Sequence, residues 1–538
     1  MGASFSPYFF ALVSILFFST SSNAASSMSK ESHESFFRCL LHNSIPHNSI
    51  PDNHLYTKNT PSYSALLQSS IQNQRFNETT TPKPFAIVSP TLDTHVQDTV
   101  KCSRSNGVEL RVRSGGHDYE ALSYVAYGVP FVVLDIHNLS AIEINTTHNT
   151  AWVQAGATVG ELYYRIAEKN ATAAFPAGLC LTVGVGGHFS GGGLGTLMRK
   201  YGLSADNVID ARLVNANGEI LDRESMGEDL FWAIRGGGAA SFGVILAYKI
   251  RLVYVPATVT VFEKSKKLSD GAPTKLIMKW QEIAYRLDER LFIRSLHSIV
   301  SDKNGNRTVN VSLQSLFLGE KEELLNILNE SFPELDLKAE DCQEMSWVES
   351  TLFFAGYTNG EPLTILLDRA HQNTTYKAKS DFLTKPIPES GWERIWTELI
   401  NSGEVMVMIV DPYGGKMAEI PESETPFPHR KGSLYNIQHM DFWAGNGPEG
   451  DKKHLDWMKR FYKFMTPYVS KNPRAAYLNY RDLDLGRNNI GYTSYHKAKV
   501  WGRKYYKRNF KRLALVKAKV DPENFFKNEQ SIPPLFQY

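Results

Sequence analysis

Short apolar runs, each cut off by proline, glycine or a polar cluster, set the rhythm of the first half of the chain. Phe85-Ala86-Ile87-Val88 lies between Pro84 and Ser89-Pro90 and predicts a short buried strand. Residues 110–113 predict extended chain, and residues 131–135 and 151–155 predict strands. Residues 96–105 carry a helical pattern. So do residues 158–169, where Thr158 and Glu161 have the spacing of a capping box. Further upstream, Phe36, Phe37, Leu40 and Leu41 predict one face of a helix. Short strands alternating with helices to about Pro256 mark an α+β or α/β domain. From Ala257 the texture changes. Thr- and Val-rich runs such as Thr308-Val309-Asn310-Val311-Ser312-Leu313 alternate with helical patterns such as residues 322–329. This predicts a second domain built on an antiparallel sheet with helices on one face. A last segment opens with the strand-like Ala476-Tyr477-Leu478-Asn479-Tyr480 and closes on Asp521-Pro522 and Phe525-Phe526. The expected class is α+β with two domains. The expected bounds are 25–81 and 82–256 for the first domain, 257–475 for the second, and 476–538 for a segment returning to the first.

Composition narrows the class. A chain of 538 residues is too long for one ordinary core. Its 42% hydrophobic and 12% aromatic content describes a packed globular protein. A net charge of +2 gives no basic footprint for nucleic acid. Residues 9–18 are apolar and are followed by small residues to Ala24, which predicts a signal peptide over 1–24, although no Lys or Arg precedes the run. No later stretch is apolar enough for a membrane span, so the mature chain is expected to be a monomer that is secreted or held in the vacuole or endomembrane lumen. In that compartment the sequons at Asn77, Asn138, Asn145, Asn170, Asn306, Asn310, Asn329 and Asn373 predict surface glycans. Of the four cysteines, Cys342 sits near Met345 and Trp347 and reads as a buried free thiol, while Cys180 stands in a glycine-rich loop.

That loop, residues 178–195, has eight glycines in eighteen positions. Glycine lets backbone take positive φ and lets another surface come close to the amide groups. A second tight turn, Arg111-Val112-Arg113-Ser114-Gly115-Gly116-His117, stands upstream. Alone, His117 reads as a satisfied turn histidine and Cys180 as a buried thiol. Together, each beside a glycine turn able to bind an anion, they point to two nucleophiles bonded to one electron-poor, phosphate-bearing cofactor. This favours FAD over NAD. The strand, Gly-x-Gly-x-x-Gly and helix unit of dinucleotide folds is missing, as are the P-loop and histidine clusters at metal spacing.

Arg111 to His117, continued by Asp118-Tyr119-Glu120-Ala121-Leu122-Ser123-Tyr124, resembles the first covalent flavin site of plant berberine-bridge-enzyme-like oxidases. Gly178-Leu179-Cys180 with Thr182-Val183-Gly184-Val185-Gly186-Gly187-His188 resembles the second. The likeness continues through residues 201–207, 229–238, 426–430 and 479–486, and within the family it looks closest to the cannabinoid synthases. It implies a vanillyl-alcohol-oxidase-type, PCMH-type fold and FAD held covalently by His117 and Cys180. It implies a cofactor shell of Arg113, Ser114, Gly115, Gly116, Ser123, Gly178, Thr182, Val183, Gly184, Gly186, Gly187, His188, Asn207, Gly243, Val244 and Asn479. It also implies a Cys39–Cys102 disulfide.

The reaction implied by the resemblance is hydride removal from an activated carbon to the flavin, with molecular oxygen reduced to hydrogen peroxide. Tyr480 matches the tyrosine that is the base of the cannabinoid synthases, and is expected to be the catalytic base here. Two positions depart from that pattern. Asn436 stands where those enzymes have glutamate, and Asp411 stands where they have a tyrosine. An asparagine takes no proton at neutral pH. Arg294, with His297 in the same strand, is expected to line the substrate pocket together with Asp411 and Asn436. The leading expectation is an oxidase acting on a phenolic, prenylated plant metabolite. The alternatives are an FAD-containing Diels–Alderase running a [4+2] cycloaddition without net redox, and a carbohydrate oxidase.

Overall fold

The structure is a computed structural model that describes residues 31–42, 54–69, 71–271, 273–370, 374–445 and 447–536. The expected signal peptide and the sequon at Asn373 lie outside these residues.

Two larger sheets and one two-stranded sheet build the first half. In chain order the strands are β1 (Leu55–Thr57), β2 (Ala86–Val88), β3 (Glu109–Arg113), β4 (Phe131–Asp135), β5 (Ile142–Asn145), β6 (Thr150–Gln154), β7 (Ala173–Ala174), β8 (Val208–Val214), β9 (Ile220–Leu221), β10 (Val244–Arg251) and β11 (Val253–Tyr254). A four-stranded sheet has the order β1-β2-β4-β3, with β2 and β3 both parallel to β4. The helix Asp93–Ser105 is the crossover from β2 to β3, parallel strands that flank β4 in this sheet. An antiparallel five-stranded sheet has the order β5-β6-β10-β8-β9. The capping box forms as expected: Thr158 Oγ1 accepts the Glu161 amide, and Glu161 accepts the Thr158 amide, ahead of the helix Val159–Lys169. Phe36 and Leu40 are buried on the N-terminal helix. Leu41, expected beside them, is 65% exposed on the other side of it. That helix is tied to Asp93–Ser105 by the Cys39–Cys102 disulfide.

The chain then enters β12 (Val259–Lys267), β13 (Leu291–Ser301), β14 (Arg307–Phe317), β15 (Cys342–Met345), β16 (Thr375–Leu383), β17 (Val405–Pro412) and β18 (Tyr435–Trp443). They form one antiparallel sheet in the order β15-β12-β14-β13-β17-β18-β16. Successive side chains of a strand point to opposite faces. One face therefore carries Leu291, Ile293, Val410 and Ile437 against Trp280, Trp392, Trp396 and Phe461 of the helices. The other face carries Phe292, Arg294, Asp411, Asn436 and Phe382. Phe292 and Phe382 pack with Leu194, Met198, Phe427 and Tyr477 in a cluster that joins the sheet to the glycine-rich loop.

The last segment returns to the first half. Trp501, Tyr506, Phe510 and Leu513 of the helices Tyr495–Tyr506 and Asn509–Val520 belong to the same core as Trp232 and Phe242. Residues 476–480, expected as a strand, are a loop instead. Their polar groups are taken by side chains and a local turn: the Tyr477 amide donates to Ser380 Oγ, and the Tyr480 amide donates to the Tyr477 carbonyl. Cys342, expected buried, is half-buried at the sheet edge, where burial pushes its thiol up to about 11.

Candidate active site

The two glycine motifs meet backbone to backbone. A Cβ on Gly184 would lie 2.0 Å from Ser114 Oγ and 2.3 Å from the Gly115 nitrogen, and one on Gly115 would lie 2.3 Å from the Gly184 nitrogen. Only glycine permits that approach. Gly116 also needs glycine for its φ of 72°. Ser114 Oγ locks the junction by donating to the Ala155 carbonyl at 2.6 Å. The consequence is chemical. His117 Nε2 lies 2.9 Å from Thr182 Oγ1, and Cys180 Sγ lies 3.9 Å from the same oxygen. Residues 65 and 2 positions away in the chain thus converge on one hydroxyl. Cys180 is exposed, and it lies close enough to Tyr119 to act on its phenol. Neighbouring protein pushes its thiol up, opposed by the Thr182 hydroxyl. Beyond the junction, a Cβ on Gly187 would meet nothing within 4 Å. Two nucleophilic atoms beside an open glycine-lined groove fit the FAD that the sequence implies.

Other residues of the expected cofactor shell have work of their own. The Arg113 guanidinium is buried and pairs with Asp135, so it is spent inside the four-stranded sheet. The Asn207 amide donates to the Tyr201 and Leu203 carbonyls and shapes its own loop. His188 Nε2 accepts the Gly178 amide at 2.9 Å, and burial holds the imidazole down to about 4, so it is a neutral clip inside the glycine loop. The Asn479 amide donates to the His188 carbonyl and the Tyr477 hydroxyl. Gly243 and Val244 are buried at the start of β10, where a Gly243 Cβ would lie 2.6 Å from the Val214 carbonyl. Ser123 Oγ has no hydrogen-bond partner.

Across the groove stands the polar end of the sheet. Asp411 pairs in register with Asn436 across β17 and β18, and Arg294 comes up beside them from β13. Arg294 Nε and Asp411 Oδ1 are 3.2 Å apart but poorly aligned, an ion pair without a hydrogen bond. Asn436 is fully buried, and neither its Nδ2 nor its Oδ1 has a partner. Burial pushes the Asp411 carboxyl up, opposed by Arg294. Tyr480 is half-buried in the same groove. Burial, then Asp411, pushes its phenol well above 10, opposed by Arg294.

His297 is not part of this group. It sits an odd number of residues from Arg294 and so points to the helix side of β13. There it stacks on Trp392 at 4.8 Å, and its Nδ1 accepts the Trp396 indole N–H at 3.0 Å. Burial pushes it down to about 3, which leaves it a neutral core residue.

Sequence reasoning missed Tyr119 and Gln438. The Tyr119 ring lies parallel to Tyr480, centroids 6.0 Å apart, and its hydroxyl accepts from Gln438 Nε2 at 2.6 Å. Strand alternation was the available signal, because Gln438 lies two residues from Asn436 on the same face. A buried network of charges holds this wall in place. Lys377 pairs with Glu120 and with Asp482, and Lys379 pairs with Asp482 and Asp484 at 2.7 Å each. Arg481 reaches Asp118 at 2.8 Å. The segment around Tyr480 is thereby clamped to both the His117 turn and β16. Arg430 does the same for the floor through a bidentate pair with Asp206.

Comparisons with known proteins give the family and the fold. The family model described as FAD binding domain matches residues 84–223, and the one described as berberine and berberine like matches residues 476–533. The chain is 54% identical to a tetrahydroberberine oxidase of Berberis wilsoniae, over 94% of this chain and 95% of that one. Its fold matches the structure of BBE-like #28 from Arabidopsis thaliana with a TM-score of 0.87 and 46% identity, covering 94% of this chain and 100% of the other. It matches Phl p 4, a grass pollen allergen with glucose dehydrogenase activity, with a TM-score of 0.87 and 44% identity, covering 93% and 100%.

Proposed function

Because the chain belongs to the berberine-bridge-enzyme-like family of FAD-binding oxidoreductases, we infer that it is a secreted oxidase of a phenolic, prenylated small molecule, with the cofactor bonded to His117 and Cys180 and with Asp411 as the base. The observation that carries this reading is the state of the two candidate bases. Burial and the Asp411 charge push the Tyr480 phenol well above 10, which favours its protonated form and the role of a donor to substrate. A carboxyl that burial raises above its usual range is a stronger base than a free carboxylate, and Arg294 opposes that rise.

FAD held by His117 and Cys180 would supply the hydride acceptor, with molecular oxygen as the final oxidant. The chain's own residues do the rest. Tyr119 and Tyr480 present aromatic surface to a substrate ring, and Gln438 fixes the Tyr119 hydroxyl. Asp411 takes the proton of a substrate hydroxyl. Arg294 holds that carboxylate and steadies negative charge on the substrate oxygen. The Asn436 amide offers one donor and one acceptor to a second polar group. The activities of two relatives, tetrahydroberberine oxidation and glucose dehydrogenation, set the alternatives for the substrate class. The test is hydrogen peroxide release from prenylated phenols, tetrahydroberberine and glucose at equal concentration. A preference for glucose would move the assignment to a carbohydrate oxidase.

The cycloaddition reading has one observation in its favour. The unpartnered Asn436 amide can hold a dienophile carbonyl as readily as a phenol. It predicts product formation with no hydrogen peroxide.

A further inference from the structure

On the helix side of the seven-stranded sheet, away from the groove, three potential metal ligands converge from three elements. Glu404 precedes β17, Asp441 lies on β18, and His454 lies on the helix Gly447–Phe464. The His454 Nδ1, one Glu404 oxygen and one Asp441 oxygen all lie within 4.8 Å of one another. Glu404 is in contact with His454 Nδ1, and Asp441 Oδ2 is 3.9 Å from it. An independent feature points to a ligand. Asp441 is fully buried, it faces this cluster, and neither of its carboxylate oxygens has a hydrogen-bond partner. A buried carboxylate left so is costly unless a proton or a cation meets it. Lys377, which pairs with Asp441 in register, sends its ammonium instead to Glu120 and Asp482. The surroundings also hold the imidazole in place. The His454 ring stacks on Trp443 at 4.7 Å, and the Trp443 indole N–H donates to Asp451 at 2.6 Å.

We propose that Glu404, Asp441 and His454 bind a divalent transition cation of the zinc type, which braces the helix Gly447–Phe464 to β17 and β18. Two carboxylates and one imidazole make a three-ligand set that leaves a fourth, water position in tetrahedral geometry. With a neutral imidazole the set carries two negative charges, which a divalent ion balances. Ligand distances of about 2.0–2.2 Å would require Asp441 to close on His454 and Glu404 to open from it, within the reach of rotamer shifts. The imidazole favours zinc-like ions over magnesium or calcium. The site lies across the sheet from the flavin groove, so its expected effect is on stability and not on turnover.

The test uses untagged, flavin-loaded protein stripped with a chelator and titrated with Zn²⁺ alone. One equivalent should bind per chain, and the melting temperature should rise with it. Asp441→Asn and His454→Gln should each weaken binding by about a hundredfold or more, since even groups that only support ligands cost up to that much. Oxidase turnover of the variants should stay at the wild-type level. The wild-type titration needs no variant to fold. Absence of a one-equivalent site in wild type, or a site that binds Zn²⁺ equally well in His454→Gln, overturns the proposal.

Discussion

Replacing Asp411 by asparagine keeps the side chain's size and removes its capacity to take a proton. The structure sets two consequences of different size. Loss of a general base slows the chemical step by roughly 10²–10⁴-fold. Separately, Arg294 loses its counter-charge while both side chains are about nine-tenths buried, and breaking such a pair costs on the order of 3–5 kcal/mol of stability. The two are separable by assay. Stopped-flow loss of flavin absorbance with saturating substrate, without oxygen, reports the chemical step of folded protein only. The double variant Asp411→Asn, Arg294→Met removes the uncompensated charge and should recover much of the stability without recovering the rate. The pH profile carries the sign. A base must be deprotonated to act, so the wild-type rate should rise as pH rises through the Asp411 pKa, which burial places above the usual carboxylate range. That acid limb should vanish in Asp411→Asn. Tyr480→Phe, which removes only the hydroxyl that would donate to substrate, should cost no more than about tenfold. An Asp411→Asn protein at the wild-type rate, beside a Tyr480→Phe protein slowed a hundredfold, would refute the assignment and return the base to Tyr480.

Acid precipitation of the wild type should leave no FAD in the supernatant, while a His117→Ala, Cys180→Ala double variant should release all of it. Gly184→Ala should cost roughly 1–3 kcal/mol of stability or prevent folding, because its Cβ meets Ser114 and Gly115 at contact-breaking distance, whereas Gly187→Ala should fold with a wild-type melting temperature. Reducing Cys39–Cys102, 63 positions apart, should lower the unfolding free energy by about 4 kcal/mol in the chain-entropy model, read as a shift of the denaturant midpoint.

The elements with strong local signals were legible in the sequence. The capping box at Thr158, the runs that became β2, β4 and β14, and the antiparallel second sheet with helices on one face all follow from spacing and residue type. So did the pairing of His117 with Cys180, because two glycine turns with a nucleophile each have few structural explanations. What stayed hidden depended on long-range partners. Arg113 and Asn207 sit in motifs that suggest a cofactor, yet their side chains are claimed by Asp135 and by loop carbonyls that no local pattern announces. His297 was assigned to the groove although strand alternation from Arg294 already put it on the other face. Residues 476–480 look like a strand by residue type, but Ser380 takes the Tyr477 amide that a ladder would have needed. The Lys377–Lys379–Asp482–Glu120 network spans more than 360 positions of chain and left no local trace.

The central claim is redox turnover of a phenolic substrate in the groove between His117, Cys180 and Asp411. Anaerobic mixing of the flavin-loaded protein with a prenylated phenol tests it most directly. Loss of the flavin's visible absorbance at a rate that matches turnover, with one equivalent of hydrogen peroxide on readmission of oxygen, is the predicted result. A cyclised product that accumulates while the absorbance stays unchanged would contradict it.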